Sequence, residues 1–190
     1  LGRLEGPIRE SGVEIVTVGP DRGVPVPESL AGFDGLIVLG GAMGPTDDES
    51  APWLPAVRTL LNEGVDAELP TLGWSVEHIR LPDGFPNPDS NALAETAALL
   101  DRLSGLLMID GLAFGAMPEI AEILAGRLRL VAMVHHPLAD ETGLSSSVVA
   151  RLEESERRSL RFARQVICTS RTTAERLISG FGGEPSRLTV

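Results

Sequence analysis

Short apolar runs alternate with longer amphipathic stretches along the chain. The runs are rich in aliphatic residues and lie at 13–18, 35–39, 76–81, 106–109, 128–134, 166–169 and 188–190. Most of them are nearly continuous, which is typical of strands that are buried on both faces of a parallel sheet. The pattern therefore predicts a sheet of about six to seven strands.

Helical periodicity fills the gaps between these runs. Apolar residues recur at helical spacing in 53–65, 92–103, 118–124, 145–163 and 172–178. Strands that alternate with helices predict an α/β fold with a doubly wound, three-layer parallel sheet, formed by residues 1–190 as a single domain. The stretch 63–74 breaks the rhythm, because a credible strand start at 69–73 is followed at once by the strand predicted at 76–81. If one continuous sheet crosses this stretch, residues 69–72 are a connection and not a sheet strand.

Polar and glycine residues follow several of the predicted strands. Ligands of open α/β sheets bind beyond the carboxyl ends of the strands, so these positions are the candidate binding residues. They are Gly40, Gly41, Gly44, Asp110, His135, His136 and Ser170.

Each of these residues has a plain structural alternative. His135 or His136 could act as a general base or electrostatic stabiliser, or could simply be hydrogen-bonded in a loop. The glycine loop could let backbone N–H groups approach an anion, or could be a tight turn. It matches no nucleotide-binding fingerprint. Asp140 and Glu141 follow the histidines, but their spacing is not a recognised metal motif, so we predict neither metal nor cofactor.

Charge and cysteine content narrow the function classes. The net charge of −11 argues against nucleic acid and anionic membrane surfaces as partners. No apolar run approaches the roughly 20 residues of a membrane span, and no signal peptide is visible. The single cysteine, Cys168, excludes an internal disulfide and is expected to be a buried, inert thiol. These features predict a cytoplasmic protein.

The segment FDGLIVLGGAMGPTDDESAPWLPAVRTLLNEGVDAELPTLG, from Phe33 to Gly73, resembles class I glutamine amidotransferase domains of the GMP synthase type. The resemblance implies that Gly40 and Gly41 supply an oxyanion hole. The family's nucleophilic cysteine should follow Gly73, but Trp74 and Ser75 stand there. We therefore expect no glutamine hydrolysis, because attack on the amide needs a thiolate.

From about residue 72 to Val190 the chain is similar to the N-terminal domain of retaining family-4 glycosyltransferases of GT-B architecture. The similarity is carried by stretches such as LLMIDGLAFGAMPEIAEIL, LRLVAMVHHPLADETGLS and RFARQVICTSRTTAERL. It implies a Rossmann-like or flavodoxin-like domain that binds the acceptor, a sugar or phosphosugar. It also places His135, with His136 as the alternate, over the transferred sugar, and Ser170 at the start of the segment that leads to the domain linker.

The two resemblances meet near residue 73, which predicts a recombinant or designed chimera of segments 1–73 and 74–190. The amidotransferase-like strand at 36–39 should then lie beside the strand at 76–81 in one sheet. The hypothesis is an acceptor-domain fragment without turnover on its own, because the partner it needs, a C-terminal donor domain, would begin after Val190. The alternatives are an amidotransferase-like protein without its nucleophile and a scaffold without function.

Overall fold

The computed structural model describes residue 10, residues 12–38 and residues 47–190. Contacts between Cα atoms divide the chain into two compact units, Leu1–His78 and Ile79–Val190. The predicted binding residues Gly40, Gly41 and Gly44 lie outside the described residues.

The first unit is built around one long helix, α1 (Leu54–Thr71), which begins with a proline at its second position. Leu60 is its buried side chain. The Arg58 guanidinium donates to both carboxylate oxygens of Asp48 at 2.9 and 2.8 Å. Glu63 Oε1 accepts from Leu30 N at 2.9 Å. The side chains of Arg58 and Glu63 thus each connect α1 to residues that precede it in the chain.

Three of the predicted strands are wrong in the described residues. Residues 13–18, 35–38 and 76–81 have no strand structure. Val16 and Ile37 are about 60% exposed. β-Branched composition makes a strand only where a partner strand is present, and among the described residues none of these segments pairs with a strand.

The break in rhythm at 63–74 has a simple explanation. Helix α1 continues through Pro70 to Thr71, so the possible strand start at 69–73 belongs to the end of the helix and is not a sheet strand. The segment 74–82 that follows has neither helix nor strand structure. The apolar side chains Ile79, Leu81 and Phe85 pack against the core of the second unit. Helical contacts and core packing, rather than sheet pairing, explain the apolar residues of this stretch.

The second unit holds a parallel sheet with strands in sequential order, β1 (Leu106–Asp110), β2 (Arg129–Val134), β3 (Gln165–Cys168) and β4 (Leu188–Thr189). Its helices are α2 (Ser90–Asp101), α3 (Gly111–Phe114), α4 (Pro118–Ala125), α5 (Ser146–Leu160) and α6 (Arg171–Phe181). The predicted α/β fold with a parallel sheet is confirmed. The predicted count of six to seven strands is wrong for the described residues, which contain four.

One hydrophobic core joins the sheet to the helices of this unit. Alternate strand residues such as Ile109, Ala132 and Val166 point into it, together with Phe114 and Leu152 from the helices. No helix among the described residues is both long and apolar enough to cross a bilayer.

Candidate functional site

The carboxyl ends of β1, β2 and β3 meet at one edge of the sheet. The parallel register pairs Asp110 with Met133 and Val134 with Cys168. Consequently Asp110, His135 and Thr169 end or follow neighbouring strands at the same level. This arrangement puts an acidic, an imidazole and a hydroxyl side chain within one short span, as the positions of the polar residues in the sequence predicted.

The centre of this edge is the contact between His135 and Asp110. His135 Nε2 lies 3.1 Å from Asp110 Oδ2, and both side chains are about half exposed. A carboxylate can only accept, so Nε2 is the protonated nitrogen, and Nδ1 of a neutral ring is then left with a lone pair. Asp110 Oδ1 also accepts from Leu112 N at 2.9 Å, which makes this carboxylate the N-cap of α3.

Two threonines hold the backbone of His135. Its carbonyl oxygen accepts from Thr169 Oγ1 at 3.1 Å and from Thr173 Oγ1 at 2.9 Å. Because the single hydroxyl proton of Thr173 is used there, Ser170 Oγ donates to Thr173 Oγ1 at 2.9 Å. Ser170 Oγ also accepts from Thr173 N at 3.1 Å and so caps α6. The start of α6 is thereby fixed against the end of β2.

A second imidazole–carboxylate pair and an ion pair follow in the next turn. His136 Nε2 lies 2.6 Å from Glu141 Oε1. Arg176, on α6, donates from Nε and from one terminal nitrogen to the carboxylate oxygens of Asp140, with N–O distances of 2.9 to 3.2 Å. The hydrogen bond that Arg176 donates to Asp140 raises the pKa of the Arg176 guanidinium. This pair ties the 3₁₀ turn Leu138–Asp140 to α6.

A buried carboxyl lies beneath the same turn. Glu156 on α5 is 1% exposed, and its Oε2 accepts from Leu138 N at 2.9 Å. Burial raises its pKa to about 7, although the hydrogen bond from Leu138 works in the opposite direction. Its other oxygen, Oε1, is buried without a hydrogen-bond partner.

The structure brings together three of the predicted residues: Asp110 and His135 directly, and Ser170 through Thr173. His136 contacts Glu141 instead. Gly40, Gly41 and Gly44 remain predicted ligand-binding residues, because they lie outside the described chain.

Sequence reasoning did not assign a role to Thr173, Arg176 or Glu156. Thr173 and Arg176 follow Ser170 at a spacing of three, which places them on one face of a capped helix. Glu156 stands at the core position between Leu152 and Leu160. A charged residue in an apolar helical stripe is a signal that could have marked it.

Cys168 is buried at the end of β3, and burial raises the pKa of its thiol. A thiol in this environment is a poor nucleophile. In the described part of the chain, no group of three or more His, Cys, Asp or Glu side chains is arranged to hold a metal ion.

Replacing Asp110 with Asn should change the free energy of unfolding by less than about 1 kcal/mol, because the pair is exposed and Asn caps helices as well as Asp. The ring signal of His135 in an NMR spectrum should nevertheless move, since its carboxylate partner is lost. The protein has three histidines, so the spectrum is simple, and His78 in the other compact unit is the internal reference. An unmoved His135 signal in Asp110→Asn would contradict the contact in solution.

Comparison with known proteins agrees with the second of the two resemblances. The family model described as Glycosyltransferase Family 4 matches residues 9–190, a range that also includes the whole amidotransferase-like stretch 33–73. No curated protein and no solved structure matches the chain. The match covers nearly the whole sequence, and the α/β fold with its parallel sheet agrees with it: the chain belongs to Glycosyltransferase Family 4.

Proposed function

We propose that the chain binds the acceptor of a glycosyl transfer reaction at the carboxyl edge of its sheet, as the acceptor domain of a retaining enzyme of GT-B architecture. The contact of His135 with Asp110 is the observation that carries the proposal. It lies where open α/β sheets bind their ligands, and the imidazole is half exposed and fixed in orientation.

The free nitrogen of His135 defines the chemistry of the contact. With Nε2–H donated to Asp110, the neutral ring offers Nδ1 as an acceptor for a hydroxyl group. Sugars present rows of hydroxyls, and a single well-oriented acceptor selects one of them. The hydroxyls of Thr169 and Ser170 lie at the same edge and extend the polar surface beside the ring.

Of the two acceptor classes, an uncharged sugar fits this edge better than a phosphosugar. Three carboxylates, those of Asp110, Asp140 and Glu141, lie around the two histidines. The guanidinium of Arg176 is already engaged by Asp140. A phosphate would meet like charges without a partner, which costs binding free energy.

Transfer itself needs a second set of groups. In the GT-B architecture the acceptor and the sugar nucleotide are held by two domains, and much of the rate comes from positioning them together. The leaving phosphate also requires stabilising donors. We therefore assign acceptor binding to this chain and leave nucleotide binding to a donor domain.

The proposed chimeric origin of the chain has one structural correlate. The division between the two compact units falls between His78 and Ile79, a few residues after the junction predicted at 73. Segments 1–73 and 74–190 would then correspond closely to the two units. An origin in two proteins would also account for the apolar runs 13–18 and 35–38, which form no strand among the described residues.

The binding proposal is tested by titrating the labelled chain with a panel of monosaccharides and with the matching sugar phosphates. The histidine ring signals are followed by NMR. We expect the His135 signal to move with the uncharged sugar, and His135→Ala to weaken that binding by about tenfold, the effect of one lost hydrogen bond.

His136→Ala is the matched control, because it removes the neighbouring imidazole, which contacts Glu141 and not Asp110. It should leave the affinity within about twofold of the unaltered protein. An equal loss of sugar affinity in His135→Ala and His136→Ala would contradict a specific role of His135 in binding. A panel in which no sugar moves any histidine signal would overturn the proposed acceptor site.

A further inference from the structure

Glu156 is the one acidic or basic side chain that is buried in the described part of the chain. It lies on the core-facing side of α5, one helical turn from Leu152 and Leu160, which belong to the hydrophobic core. Burial of a carboxyl among apolar side chains costs free energy. Since the contacts of His135 and His136 do not involve it directly, its place in the core needs a separate explanation.

The 3₁₀ turn Leu138–Asp140, which follows the histidines, is hydrogen-bonded to this carboxyl. Glu156 Oε2 accepts from Leu138 N at 2.9 Å, and Leu138 is itself buried. Gly115 lies against both residues: a Cβ there would come within 2.8 Å of Leu138 Cδ1 and 3.2 Å of Glu156 Cγ. A larger residue at 115 would therefore displace the side chains of Leu138 and Glu156.

Segment 135–140 is held at three levels, two of them by α6. Thr173 holds the carbonyl of His135, and Arg176 holds Asp140. The third contact is the hydrogen bond that Leu138 N donates to the buried side chain of Glu156. Leu138 lies between His135 and Asp140 in the sequence. It is thus the contact that joins the turn after the two histidines to a buried side chain of α5.

We propose that Glu156 is a positioning residue: through its hydrogen bond to Leu138 N–H it holds segment 135–140, and with it the side chains of His135 and His136, in place. The role rests on the proposed function, because that function gives His135 its contact with the acceptor. Glu156 itself touches no ligand in this proposal and acts through Leu138 alone.

The ionisation of Glu156 supplies an independent probe of this contact. Burial raises its pKa to about 7; the Leu138 hydrogen bond lowers it, the charge of Asp140 raises it and that of Arg176 lowers it. The carboxyl is thus neutral in mildly acid solution and charged in mildly alkaline solution. A charged acceptor makes a stronger hydrogen bond, so the amide proton of Leu138 must sense the change.

The test uses NMR on the whole chain with Glu156→Gln, Glu156→Leu and the matched control Glu154→Gln, an exposed glutamate on the same helix. Glutamine keeps an acceptor for Leu138 N–H, whereas leucine removes it. In Glu156→Leu we expect the amide exchange of Leu138 to rise about tenfold or more and the ring signals of both histidines to move. Glu156→Gln and the control should leave these signals, and that of His78, in place.

The unaltered protein provides the second measurement, which decides the case if Glu156→Leu does not fold. The amide signal of Leu138 should titrate with a midpoint near the pKa of about 7 and should lose this titration in Glu156→Gln. A folded Glu156→Leu with unmoved histidine signals would overturn the proposal, as would a Leu138 amide that titrates equally in Glu156→Gln. Neither readout depends on sugar binding, so failure of the acceptor site is distinguishable.

Discussion

Replacing Glu156 with Gln should raise the free energy of unfolding in mildly alkaline solution by about 3 kcal/mol. The reason is the raised pKa of this carboxyl, about 7 in the folded protein against an ordinary value of 4.5. Glutamine has the same shape and keeps an oxygen for Leu138 N–H, but it never carries the buried charge. The gain is thus the cost of ionising Glu156 in the folded state.

The dependence on pH fixes the sign. Below about pH 4.5 the carboxyl is protonated in both folded and unfolded protein, so Glu156→Gln should be nearly neutral there. Between about 4.5 and 7 the folded protein binds a proton that the unfolded chain has released, so stability falls as the pH rises. Above about 7 both states have lost the proton and the full penalty persists.

Urea unfolding of the two proteins at several pH values measures this difference. Both tryptophans, Trp53 and Trp74, lie in the first compact unit, so circular dichroism or amide exchange must report on the second. The exposed Glu154 supplies the control, since Glu154→Gln should shift stability by less than about 1 kcal/mol. Parallel pH profiles for the unaltered protein and Glu156→Gln would show that the pKa of Glu156 is the same in the folded and unfolded protein, contrary to this prediction.

In the second unit the predicted elements agree closely with the observed ones, because the local sequence pattern and the tertiary packing favour the same structure there. The strands predicted at 106–109, 128–134 and 166–169 appear within one residue of the observed β1, β2 and β3. Asp89 caps α2, which precedes β1, and Ser170 caps α6, which follows β3. Where apolar pattern, cap and sheet partner point the same way, the sequence specifies the element.

The first unit shows how composition alone misleads. The runs at 13–18 and 35–38 have strand composition, but no strand among the described residues pairs with them. The helix predicted to end at 65 continues to Thr71, although Gly64 and Pro70 are weak helix formers. Pro70 lies in the last turn of α1, so the backbone hydrogen bond that its missing N–H would have made is lost only at the end of the helix.

The candidate site was predictable by position and not by pairing. The rule that ligands gather at strand ends selected Asp110, His135 and Ser170 correctly as neighbours. That Asp110 contacts His135, while His136 turns to Glu141, depends on the register between β1 and β2 and on the direction of each side chain. No sequence pattern encodes these, just as none indicated that Leu138 would meet Glu156.

Replacing Phe114 with Ala should destabilise the second unit by about 3–5 kcal/mol, the usual cost of removing a fully buried aromatic ring. Phe114 is 0% exposed and belongs to the core, although its helix, α3, has only four residues. So short a helix has little stability of its own, since the first turn costs more than its hydrogen bonds return. The packing of Phe114 therefore fixes the helix in place.

The effect of this substitution should reach the candidate site. Asp110 caps α3 through Leu112 N, and the same carboxylate holds His135. When Phe114 no longer anchors the helix, its cap loses a fixed donor, and the amides of Leu112 and its neighbours should exchange faster. Leu112→Ala is the matched control on the same helix, because that side chain is 43% exposed and should change stability by less than about 1 kcal/mol. Equal costs for the two substitutions, measured by amide exchange, would mean that α3 is held by its cap rather than by the core.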